Sequence, residues 1–94
     1  MPYLLVRHKV EDYDHWKPIF DEHAKSRKSG GSQGARVFRS ADNPNETLIL
    51  MEWDSLENAR KFIGSEDLHQ AMADARVADR PDAFFLDEVD SQPA

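Results

Sequence analysis

The chain has 94 residues, room for one domain (1–94) with a real but modest core. At 39% hydrophobic and 32% charged, its composition is that of a folded protein rather than a disordered one. It has no cysteine, which excludes disulfides, thiolate metal sites and cysteine nucleophiles, and its net charge of −6 argues against a nucleic-acid partner.

Taken in chain order, YLLVRHKV (3–10) is rich in apolar and β-branched residues and reads as a strand. YLLV and LILM, the longest apolar runs, are too short to span a bilayer or act as a signal peptide, so a cytoplasmic protein with no membrane partner is expected. Pro18 sets the start of the next helix, because proline clashes with the carbonyl four residues back. The regular helix is expected to begin near Asp14 as N-cap and to run to SGGSQG, where Gly30 or Gly31 takes a left-handed cap. Within it KSRK (25–28), the one basic cluster, has the spacing of a solvated face.

ARVFRSA (35–41) and TLILMEWD (47–54) read as strands joined by the turn-rich DNPNE. Ser55 caps a helix over 55–64, a break follows at Gly64-Ser65, and a further helical segment continues until Asp79-Arg80-Pro81 stops it. DAFFLDEV (82–89) is the fourth strand, and 90–94 form a flexible tail. The order βαββαβ in so short a chain predicts an α+β, ferredoxin-like fold: a four-stranded antiparallel sheet with helices on one face.

The strands are apolar on both faces. Leu4, Val6, His8 and Val10 are expected to face the helices, with Leu5, Ile49, Met51, Trp53 and one of Phe84 or Phe85 on the far side. Such a patch exceeds what a monomer leaves in water, so the sequence predicts a homodimer packed sheet against sheet.

On the first helix Trp16, Ile19, Phe20, His23 and Arg27 fall within about 60° of one another's mean direction. The inward stripe is therefore apolar at first and polar later. His23 and Arg27 there need water, a partner or a ligand to offset their desolvation. His8 and His23 are expected to share a cavity without touching. With no third ligand at suitable spacing, no metal site is expected. His15 and His69 read as surface residues.

With these elements placed, Glu52-Trp53-Asp54-Ser55, followed by Glu57 and Ala59 and by the serine-led segment at Ser65, gives a chain that over about 3–89 resembles the antibiotic-biosynthesis-monooxygenase-like proteins of the dimeric α/β-barrel superfamily. The resemblance implies a barrel of two sheets with a pocket in each subunit. Its best-known enzymes oxygenate polycyclic aromatic phenols without metal or flavin, the substrate anion itself reducing oxygen. It also implies that Trp53 matches a tryptophan that matters in that branch. Haem-degrading relatives carry a histidine on the helix after the third strand, where this chain has Phe62 and Ile63, so no haem or other cofactor is expected.

Two functions follow as expectations. One is a cofactor-independent monooxygenase for a small aromatic or enolisable compound. In it His8 and His23 serve as proton acceptor and anion stabiliser, Arg27 is a further anion-holding residue, and Trp16, Phe20 and Trp53 form the walls. The alternative is a dimer that binds a small organic ligand, or is stress-associated, without catalysis.

Overall fold

The computed structural model describes residues 2–78 and 81–94. Strand β1 (Pro2–Lys9) leads into α1 (Tyr13–Glu22) and α2 (Ala24–Gly30), then β2 (Ser32–Arg39) and β3 (Glu46–Trp53). Helices α3 (Leu56–Ile63) and α4 (Glu66–Asp74) precede β4 (Asp82–Asp87). The sheet order is β2-β3-β1-β4 with every neighbouring pair antiparallel, and the fold is the ferredoxin-like α+β arrangement that the element order predicts.

Local chemistry explains most boundaries. Asp12, two residues before the predicted cap, closes the start of α1 by accepting from the Asp14 amide. The single helix predicted from Asp14 is broken at His23, which serves as C-cap of α1 and N-cap of α2. Gly31 ends α2 at φ +116°, a region that favours glycine. Ser55 and Ser65 cap α3 and α4 by accepting from the Asn58 and Leu68 amides, the break between them falling at Gly64. Of the predicted helix stop, Asp79 and Arg80 lie outside the described residues.

The register corrects one expectation. Leu4 pairs with Met51, Val6 with Ile49 and His8 with Thr47. Directly paired residues share a face, so Thr47, Ile49, Met51 and Trp53 lie under the helices with Leu4, Val6 and His8 rather than on the far side. All seven are buried. The outer face instead carries Leu5, Leu48 and Leu50, half-buried, with Phe38, Phe84 and Leu86 still 41–49% exposed. The second apolar face exists; its membership in β3 is the opposite set.

Candidate active site

A cavity of about 680 Å³ lies between the buried face of the sheet and the helices. Val6, Ile49 and Met51 form its floor, and α1 lays Trp16, Ile19 and Phe20 along one side. Phe62 and Ile63 of α3 and Leu68 and Met72 of α4 make the other side. Among the described residues, the polar side chains that enter this apolar lining are His8, His23, Arg27 and His69.

His8, Trp16, Phe20 and Arg27 form a continuous ladder. The His8 and Trp16 rings meet edge to face at 5.7 Å, Trp16 stacks on Phe20 at 4.9 Å, and the Arg27 guanidinium lies 3.8 Å over the Phe20 ring. Arg27 also donates from Nη1 to the Phe20 carbonyl at 2.8 Å. It is 7% exposed, so the solvated face predicted for KSRK holds for its neighbours Lys25 and Lys28 but not for Arg27. Burial pulls its pKa down, the nearby Asp21 carboxylate opposing, from a starting value high enough to leave a permanent cation.

His8 is 5% exposed, and burial lowers its pKa below 6.5, partly offset by a hydrogen bond to its own carbonyl. It is therefore a neutral imidazole at neutral pH. Its Nδ1 lies 2.7 Å from Thr47 Oγ1, while Nε2 makes no hydrogen bond to the described residues and the side chain lines the cavity. A neutral imidazole with a free ring nitrogen in an apolar cavity is equipped to move a proton.

His23 is differently employed. Its Nε2 lies 2.9 Å from Asp67 Oδ2, joining the break between α1 and α2 to the first turn of α4. Hydrogen bonds from the Ser26 hydroxyl and from His23 hold the Asp67 carboxyl below its usual range. With Nε2 committed to Asp67, only Nδ1 remains to meet a ligand. His8 and His23 share the cavity without a mutual contact, as expected. His15 donates from Nε2 to the Asp74 carbonyl, 2.9 Å away, and exposed His69 stands at the cavity's edge. A carbonyl oxygen only accepts, so His15 Nε2 carries the proton there.

Trp53 does not line the cavity. It is fully buried behind Phe62, ring centroids 5.0 Å apart, with Gly30 against its six-membered ring. Its Nε1 is buried without a hydrogen-bond partner among the described residues. Sequence reasoning missed Thr47, whose burial follows from the β1–β3 register, and the apolar α3 and α4 residues, whose spacing gave no chemical signal. Among the described residues no three His, Asp or Glu side chains converge where a metal could be held. No described helix is long and apolar enough to cross a membrane.

The sequence profile of the family described as antibiotic biosynthesis monooxygenase matches residues 5–74. The chain belongs to that family. No curated protein matches it in sequence. Among solved structures this antibiotic biosynthesis monooxygenase family member is similar to SnoaB from Streptomyces nogalater, described as a cofactor-independent oxygenase. The TM-score is 0.79 at 13% identity, over 99% of this chain and 97% of that one. It is also similar to Rv0793 from Mycobacterium tuberculosis, with TM-score 0.68 at 14% identity over 97% and 98% of the two chains. At such identities the likeness establishes the shared fold, and the family member's chemistry rests on its own cavity.

Proposed function

We propose that this protein is a cofactor-independent monooxygenase acting on a small aromatic or enolisable compound held between sheet and helices. The observation that carries it is a buried, neutral His8 whose Nε2 has no hydrogen-bond partner among the described residues, in an aromatic-walled cavity that also holds the Arg27 cation. The family match and the likeness to SnoaB support it.

The substrate lies against Trp16 and Phe20, its acidic O–H or C–H toward His8 Nε2, which accepts the proton. Arg27, and His23 through Nδ1–H when protonated, hold the resulting phenolate or enolate. The anion gives one electron to dioxygen, and the two radicals join in a carbon–oxygen bond. The peroxide then breaks its O–O bond as a second proton leaves the same carbon. One oxygen atom remains as a carbonyl and the other departs as water, so a CH2 group and O2 become C=O and H2O. The apolar lining keeps water from the anion, so that its electron goes to oxygen rather than being quenched by protonation.

The working unit in this reading is a cytoplasmic homodimer. Phe38, Phe84 and Leu86, exposed around half-buried Leu5, Leu48 and Leu50, would be covered by the same face of a second copy.

The test is oxygen uptake with a dihydroxynaphthalene. Wild-type protein should consume oxygen, and His8→Gln should lose roughly 100-fold or more of the rate while still binding the phenol. Binding without uptake by the wild type would replace this reading with that of a ligand-binding barrel. Full activity in His8→Gln would remove His8 from the chemistry.

A further inference from the structure

Thr47 is 0% exposed, a hydroxyl side chain in the floor of the fold closed off from bulk solvent. Its Oγ1 stands between two atoms of one residue: 2.7 Å from His8 Nδ1 and 3.2 Å from the His8 carbonyl oxygen. A threonine hydroxyl has one proton to give. The carbonyl can only accept, so a hydroxyl donating there must receive the proton of Nδ1. In a neutral imidazole the lone pair then falls on Nε2, the ring nitrogen not engaged by Thr47, in a side chain that lines the cavity.

We infer that Thr47 is a positioning residue that fixes the tautomer of His8, keeping the proton on Nδ1 and the lone pair of Nε2 turned to the ligand. Resting on the proposed role of His8 as proton acceptor, this deepens that role. The opposite tautomer would present Nε2–H, a donor that can polarise a bound oxygen but cannot take a proton. The strand register makes the arrangement rigid: His8 and Thr47 are directly paired across β1 and β3, so backbone pairing holds both ends of the contact. Edge-to-face packing against Trp16 blocks rotation of the ring.

The experiment uses full-length protein labelled with nitrogen-15 in histidine. At a pH where His8 is neutral, ring-nitrogen NMR should show Nδ1 protonated and Nε2 bare. Thr47→Val, nearly the same shape without the hydroxyl, should shift His8 toward the other tautomer or a mixture, and Thr47→Ser should restore the wild-type spectrum. With a dihydroxynaphthalene, Thr47→Val should lower the oxygen-uptake kcat roughly tenfold or more with KM little changed, and Thr47→Ser should recover it. Nε2–H in the wild type would overturn the inference, as would an unchanged tautomer in Thr47→Val. Should Thr47→Val fail to fold, the wild-type and Thr47→Ser spectra still decide the assignment. The expected tautomers without oxygen uptake would uphold Thr47 and overturn the oxygenase reading, so the two fail separately.

Discussion

Replacing Trp53 by phenylalanine sets two buried effects against each other. The indole is fully buried between Phe62 and Gly30, and its Nε1 has no hydrogen-bond partner among the described residues. Trp53→Phe removes roughly 40 Å³, which at ~24 cal/mol per Å³ of residual cavity costs about 1 kcal/mol. Lost apolar burial adds about another 1 kcal/mol. Against this, the substitution deletes an unpaired buried N–H, whose desolvation costs roughly 1–3 kcal/mol. The opposing effects nearly cancel, so Trp53→Phe should change unfolding free energy by no more than about 1 kcal/mol. Trp53→Ala, with no such relief beyond the same N–H, should lose roughly 3–5 kcal/mol. Urea denaturation at matched protein concentration reads both values, the slope being unchanged if the mechanism is right. A loss above about 2.5 kcal/mol for Trp53→Phe would show that Nε1 is satisfied and the reasoning wrong. Because Phe62 separates Trp53 from the cavity, oxygen uptake should survive the same substitution within about threefold. Its collapse in a stable variant would return Trp53 to the site.

Burial lowers the His8 pKa below its unfolded value of 6.5, so the unfolded chain binds more protons just below that pH. Stability should therefore be full above pH 6.5 and fall as the pH drops toward the folded value, by at most about 1.4 kcal/mol per pH unit. Urea titrations at pH 7.5 and 5.5 should show a smaller loss in His8→Gln; equal losses would refute the assignment. Gly31→Ala combines a φ of +116° with a Cβ that would run into the Asp54 carboxylate, and thermal unfolding should show a loss of about 1–3 kcal/mol. Asp54→Ala in the same chain should recover only the steric part; complete recovery would mean that the backbone conformation is not strained. Phe84→Asp with Leu86→Asp should lower the light-scattering mass from twice 10.8 kDa to the single-chain value. A single-chain mass for the wild type at micromolar concentration would remove the proposed dimer.

Much of the fold could be read from the residues because local signals agreed. Ser55 and Ser65 sit before helical runs, Gly31 follows one, and Pro18 allows only an early start for α1. His23 and Arg27 announced a cavity by being polar on an inward stripe. The phase of β3 was not legible, since Leu48 and Leu50 are as apolar as Ile49 and Met51. Only pairing with β1, through Val6 opposite Ile49, chooses between the sets. Thr47 was hidden for the same reason, its burial being a matter of register rather than composition. Arg27 carried two conflicting signals, an inward helical phase and a basic KSRK neighbourhood that suggested solvent, and the Phe20 ring and carbonyl beneath it supply the partners that make the inward one hold.

Strand β3 serves two masters with alternate residues, Thr47, Ile49 and Met51 inward and Leu48 and Leu50 outward. Adding or deleting one residue in its middle would exchange the roles of everything beyond that point, spoiling cavity floor and outer surface together. Changes in the shape of the cavity are thereby channelled into side-chain swaps and into the helical walls. Length changes belong in loops such as 40–45, where neither surface is at stake.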